Sequence, residues 1–179
     1  MNKNKLYYLV LSGILLALLI VCSQLTIPLP LVPLTLQTLA IGLIASLLPT
    51  LYATEVVIAY LLLGIIGLPV FAQFSSGFSV ILGYTGGYLI TFVFYALITA
   101  AILQKTGYSL ISLFLANLIG ASFQLFFGAL WMLPVLHIDF KVAMTTGVIP
   151  FIIPAIIKVC LVCLIAKPLR SVLDKKLIK

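Results

Sequence analysis

The stretch Gly64-Ile65-Ile66-Gly67-Leu68-Pro69-Val70-Phe71-Ala72-Gln73-Phe74-Ser75-Ser76-Gly77-Phe78-Ser79 runs on through Gly83-Tyr84-Thr85-Gly86-Gly87-Tyr88 and holds half of the chain's twelve glycines. The chain around it is 64% hydrophobic. Glycine permits backbone conformations that other residues avoid and lets another group come close to the chain. In lipid, irregular backbone is tolerated only where protein buries it or where it lines a cavity. A Gly, Ser and Gln segment between two apolar runs is therefore a candidate lid or binding loop.

Composition places the rest of the chain in a membrane. Only 7% of its 179 residues are charged, against roughly 25% in soluble domains, and the mean hydropathy is +1.37. The apolar content is spread along the whole length, which predicts one domain over residues 1–179 and no separate soluble part. A span needs about 20 mostly apolar residues. Reading outward from the glycine segment gives an all-α integral membrane bundle of six helices. The predicted spans are Leu6–Ser23, Leu34–Leu48, Leu51–Ile66, Val80–Leu103, Leu110–Leu133 and Val148–Ala166. The second and third are short and meet at Pro49, so they are expected to be tilted or only partly spanning. Met1 to Lys5 and the apolar run after it read as a retained first helix, because more spans follow and no small-residue cleavage site precedes a soluble domain.

Charge sets the orientation. With six spans and the N-terminus inside, Lys3, Lys5, Lys105, Lys167, Arg170, Lys175, Lys176 and Lys179 face the cytoplasm and only Lys141 faces out. This positive-inside pattern predicts that both termini are cytoplasmic. The net charge of +7 is thus orientation charge and gives no reason to expect nucleic acid; membrane lipid is the expected surround. The Pro-rich link Ile27 to Pro33, the Gly/Ser segment and the His137–Lys141 loop all fall on the outer side, where a ligand would arrive.

Lys158 is the one basic residue inside a span. It lies roughly 10 residues into the sixth span, about 15 Å deep at helical rise. A buried ammonium is costly, so an intramembrane charge is a functional candidate by default. The only acid within a span is Glu55, near the opposite end of the third, so direct pairing is not expected. An unpaired lysine in a cavity suits an anionic ligand; the alternative is that it meets backbone carbonyls freed by Pro150 and Pro154. Thr35 and Gln37 open the second span, suited either to a ligand amide or to helix–helix hydrogen bonding. Gln73, Ser75 and Ser79 are loop candidates for ligand contact, solvated loop residues being the alternative. Gly86, Gly87 and Tyr88 open the fourth span, where close approach to a ligand competes with tight helix packing. Gly13 and Ala17 form a small-xxx-small face on the first helix, suited to docking another helix. Trp131 reads as an interfacial anchor.

Several chemistries lack material. With three acids and one histidine the chain has no paired catalytic carboxylates, no HExxH and no Ser/His/Asp arrangement, so no catalytic residue is expected. His137 and Asp139 are too few for a metal site. Cys22, Cys160 and Cys163 lie in apolar runs and read as packing residues. No Walker A sequence appears, so any ATP-driven transport draws its energy from another protein.

Several of these motifs occur in one order that resembles the BioY family, the biotin-specific substrate-binding (S) components of energy-coupling factor (ECF) transporters. They are Ile27-Pro28-Leu29-Pro30, Val32-Pro33-Leu34-Thr35-Leu36-Gln37-Thr38-Leu39, Tyr60 to Gly64, Gly67 to Phe71, Gly83 to Leu89, and Lys158 in its Phe151-to-Lys158 segment. The resemblance implies a six-helix S component of a bacterial plasma membrane, holding biotin near the outer face under the loop between spans three and four. It implies no cofactor, a transmembrane coupling protein docked on the Gly13/Ala17 face, and two ATP-binding cassette ATPases. Lys158 matches the lysine expected at the polar end of the ligand, which we pair with the valerate carboxylate. Two positions depart from the family pattern. Tyr84 stands where Gly-Pro-Thr-Gly-Gly-Tyr has proline, and Ala155 stands where an aspartate usually precedes the lysine by three. Without that aspartate, Gln37, Gln73 or backbone carbonyls are left to meet the ureido group. The competing readings are an S component for a biotin precursor or relative, and an ion-coupled secondary transporter of a small carboxylate using Glu55 and Lys158. No internal repeat supports the second.

Overall fold

In lipid every backbone N–H and C=O must find a partner within the protein, which drives long apolar runs into helix. The computed structural model describes residues 3–177. Lys179, counted in the charge balance, lies outside them, as do the side chains of Lys3, Asp174, Lys175 and Lys176. The elements in order are α1 (Lys3–Gln24), β1 (Thr26–Ile27), β2 (Leu34–Thr35), α2 (Gln37–Leu47), α3 (Thr50–Ile65), a 3-10 turn (Ala72–Phe74), α4 (Phe78–Leu82), α5 (Gly86–Thr106), α6 (Leu110–Leu136), α7 (Phe140–Gly147) and α8 (Ile149–Leu177).

Among the described residues four stretches are long and apolar enough to cross a bilayer: Asn4–Gln24, Gly86–Thr106, Leu110–Leu136 and Phe140–Leu173. Helices α2 and α3, with 11 and 16 residues, reach only about 17 and 24 Å at helical rise, short of a ~30 Å hydrocarbon core. The burial of α2 explains how so short a helix is tolerated. Nine of its eleven residues are buried, because it packs between α1, α5 and α8 and meets protein on nearly every side.

The predicted spans need three corrections. The second begins at Gln37, since Leu34–Thr35 pairs antiparallel with Thr26–Ile27 and forms a short hairpin across the Pro-rich link. The fourth is broken: Val80 to Leu82 belongs to the short α4, and Gly83–Thr85 separates it from α5. The run Gly83-Tyr84-Thr85-Gly86-Gly87-Tyr88 interrupts the apolar pattern here, and the predicted span ran across it. The sixth is preceded by α7 and continues well past Ala166. His137 ends α6 with a left-handed backbone (φ 52°) that turns the chain, and α7 begins three residues on at Phe140.

Close packing of α5 on α6 forms one side of the bundle. Gly87 makes it possible: a side-chain carbon there would overlap Trp131 Cβ. The same indole donates from Nε1 to Gly83 O at 3.1 Å. Trp131 therefore pins the break between α4 and α5, a structural task the anchor reading did not foresee. In the core, buried Asn117 of α6 donates to Ser46 Oγ on α2 at 3.0 Å and accepts from Tyr95 Oη on α5 at 3.3 Å. One amide thus ties three helices together.

Candidate ligand-binding site

The helices and the glycine segment enclose a cavity of about 460 Å³ at the end of the bundle that carries the hairpin. This falls in the usual range for small-molecule sites, roughly 300–1,000 Å³. Leu31, Val32 and Leu34 of the hairpin link form one wall. Phe71, Ala72, Gln73, Ser75 and Ser79 of the glycine segment form the cover. Tyr88, Phe92 and Tyr95 of α5 face Phe151 and Lys158 of α8, and α6 adds Ala121, Gln124 and Leu125. The walls are thus mainly apolar and aromatic, with a few polar groups placed among them.

Lys158 is half-buried on this wall. Its Nζ donates to Thr35 O at 2.6 Å and to Thr38 Oγ1 at 3.0 Å. The carbonyl partner is the one on β2, not those freed by Pro150 and Pro154. An ammonium has three donors; these two neutral acceptors leave one, and the whole charge, for a ligand. Glu55 is exposed on α3 and does not line the cavity.

From Thr35 a relay of hydrogen bonds runs to the cover. Thr35 Oγ1 donates to Gln37 Oε1 at 2.7 Å, Gln37 Nε2 to Tyr60 Oη at 2.6 Å, and Tyr60 Oη to Val70 O at 3.0 Å. Gln37 reaches the cavity, but its oxygen and one N–H are engaged, so helix–helix bonding accounts for it. Ser23 Oγ also donates to Val70 O, at 2.5 Å. Gln24 fastens the next turn: its Nε2 donates to Phe71 O at 3.1 Å and its Oε1 accepts from Phe74 N at 2.9 Å. The bonds hold a strained turn, because Gln73 and Phe74 both take positive φ, 57° and 56°. Gly64 completes the base: the Phe71 ring occupies the space a side chain there would need, and Gly64 O accepts from Gly77 N at 2.7 Å.

Of the predicted ligand residues, Thr35, Gln37, Gln73, Ser75, Ser79, Tyr88 and Lys158 all line this one cavity. Tyr88 also donates to Gly147 O at 2.8 Å, which joins α5 to α7. Gly86 and Gly87 do not line it; a side chain at Gly86 would strike the Ile81 carbonyl and one at Gly87 the Trp131 side chain, so both serve packing. Both departures from the family pattern, Tyr84 and Ala155, are on the wall. Gly13 and Ala17 are exposed, beside exposed Val10, Ile14 and Val21 on α1. Among the described residues no group of three or more His, Cys, Asp or Glu is placed to hold a metal. Sequence reading missed Thr38, Gln24 and Gln124. Gln124 was findable by the logic that found Lys158, as a polar side chain in the middle of an apolar run.

Comparison with known proteins agrees with this geometry. The chain is 39% identical over 162 residues to the biotin transporter BioY2 of Lactococcus lactis subsp. cremoris, covering 90% of this chain and 89% of that protein. It is 34% identical to the biotin transporter BioY of Thermotoga maritima, over 91% and 95% of the two chains. A crystal structure of the S-component for biotin from an ECF-type ABC transporter superposes with a TM-score of 0.89 at 30% identity, covering 96% of this chain and 95% of that one. The BioY family pattern itself matches residues 1–175, the span that contributes every wall of the cavity, and the chain belongs to the BioY family.

Proposed function

We propose that this chain is the biotin-binding S component of an ECF-type transporter in the bacterial plasma membrane. One observation carries the reading: an ammonium without a charged partner among the described residues, held by Thr35 O and Thr38 Oγ1 on the wall of a mainly apolar, covered cavity. Biotin offers the complement, a carboxylate at one end and a bicyclic ring with an aliphatic chain that suit apolar walls. The relatives' names as biotin transporters support the ligand, and the matched S component supports the assembly. The protein is a transporter subunit, not an enzyme.

On this reading residues 1–179 form a single six-helix domain with both termini cytoplasmic. Biotin enters from the outer face under the 64–85 cover. The exposed Gly13/Ala17 face of α1 docks on the transmembrane coupling protein, and two ATPases supply energy. The ion-coupled alternative loses its main support, since Glu55 lies away from the cavity. A second reading, an S component for a biotin relative, is favoured by Tyr84 and Ala155 standing on the wall itself.

Uptake of labelled biotin by cells carrying the chain with and without the coupling protein and ATPases tests the assembly. The expected result is uptake that needs the ATPases and survives collapse of the ion gradient at constant ATP. Uptake that stops with the gradient alone would establish the secondary transporter. Competition by desthiobiotin at lower concentration than biotin would favour the second reading.

A further inference from the structure

Gln124 lies on α6 midway between Gly120 and Gly128. Both glycines face α5, the first against Tyr95 and Thr99 and the second against Tyr88. Gln124 shares that stripe, and its backbone carbonyl accepts from Thr91 Oγ1 of α5 at 3.4 Å. Its side chain lines the cavity, yet the residue is only 3% exposed. Its Oε1 is buried and has no hydrogen-bond partner. Buried polar atoms are paired in the great majority of cases, and each exception calls for an explanation.

The other buried polar side chains on the wall are committed. Thr35 donates to Gln37, Gln37 to Tyr60, Tyr88 to Gly147 O and Tyr95 to Asn117. Lys158 has only donors to offer, so it answers an acceptor or an anion. Ala155 offers a methyl group. The buried wall acceptor without a partner is therefore Gln124 Oε1, among the aromatic side chains of α5. It calls for a ligand N–H or O–H. Biotin in its carboxylate form carries no O–H donor; its donors are the two ureido N–H groups.

We propose that Gln124 Oε1 accepts a ureido N–H of the bound ligand, making Gln124 the residue that requires an intact N–H on the ligand's ring. Lys158 and Gln124 then read opposite ends of one molecule, the first by charge and the second by an acceptor. The proposal rests on the biotin reading. A site built to bond a ligand N–H strongly rejects an analogue lacking it, because its own buried group is left unpaired.

The test is equilibrium binding to the full chain in detergent. Wild type and Gln124→Met are compared with biotin and with biotin methylated at one or the other ureido nitrogen. Thermal stability of the ligand-free proteins is measured beside it. The expected result is a roughly 10- to 100-fold loss of biotin affinity in Gln124→Met. One of the two methylated ligands should bind wild type weakly, yet distinguish the two proteins by less than about threefold, as a shared interaction requires. Ligand-free stability should not fall, because the substitution removes an unpaired buried acceptor. Wild type binding biotin and both methylated forms alike would overturn the proposal without reference to any variant. So would Gln124→Met losing affinity for all three ligands equally with a fall in ligand-free stability, which is a packing role. If wild type does not bind biotin at all, the functional reading fails and takes the proposal with it.

Discussion

Replacing Gln24 by leucine should speed biotin release without emptying the site. Gln24 is the side chain at the end of α1 that grips the cover from both directions, donating to Phe71 O at 3.1 Å and accepting from Phe74 N at 2.9 Å. Each such bond contributes about 0.5–1.5 kcal/mol net. The second is exposed and belongs at the lower end, so losing both costs the closed cover about 1–2 kcal/mol. Opposing closure is the backbone at Gln73 and Phe74, two non-glycine residues with positive φ; left-handed backbone disfavours each by about 1–2 kcal/mol. The strain of the two residues together, about 2–4 kcal/mol, is at least as large as the latch, so the turn itself offers nothing to offset the latch's removal. At 1.4 kcal/mol per factor of ten, the dissociation rate should rise roughly 5- to 30-fold. The association rate should change less, as is usual among variants of one site. Stopped-flow or filter-binding chase with labelled biotin measures both. Gln24→Glu keeps the acceptor for Phe74 N–H and should fall between leucine and wild type. A Gln24→Leu release rate within twofold of wild type would refute the latch.

Two further substitutions probe the frame. Gly87→Ala places a methyl group on Trp131 Cβ, an overpacking expected to cost about 1–3 kcal/mol. Since Trp131 is the chain's single tryptophan, loss of its bond to Gly83 O should appear directly as a red-shifted emission. Unchanged emission would mean that the indole does not hold the α4–α5 break. Asn117→Leu leaves Ser46 Oγ and Tyr95 Oη without that partner in the core. Interhelical bonds in membrane proteins average about 0.6 kcal/mol, but stranding buried groups adds to this. A total of about 1–3 kcal/mol predicts a fall in melting temperature of roughly 3–10 °C, read by thermal unfolding in detergent.

Much of this architecture is legible in the chain because lipid imposes simple rules. Runs such as Leu110–Leu133 can only be helix, and Lys158 stands out because charge in an apolar run is rare. The Gly/Ser segment reads as a candidate lid or binding loop because irregular backbone at membrane depth needs something to line, and Ala72, Gln73, Ser75 and Ser79 do line the cavity. Other features were hidden for physical reasons. The break at Gly83–Thr85 is marked by glycines that signal either a turn or close packing, and what fixes it is the Trp131 indole from another helix. Gly86 and Gly87 announce close approach but not what approaches, and here it is protein. Thr35 and Gln37 signal a polar site, yet whether an amide faces ligand or a neighbouring helix depends on Tyr60, twenty-three residues away. Gln24 carries no local motif, and its role arises only from tertiary placement.

Equilibrium binding of biotin to the purified chain, set beside biotin amide and Lys158→Ala, tests the central claim most directly. A charge-assisted hydrogen bond contributes about 1.5–3 kcal/mol, so the amide and the substitution should each weaken binding roughly 10- to 150-fold. Because both remove the same pair, combining them should weaken it little further. Biotin bound equally well with its carboxylate masked and with Lys158 replaced would contradict the assignment of the ammonium to the ligand. No biotin binding by a folded sample would contradict the function itself.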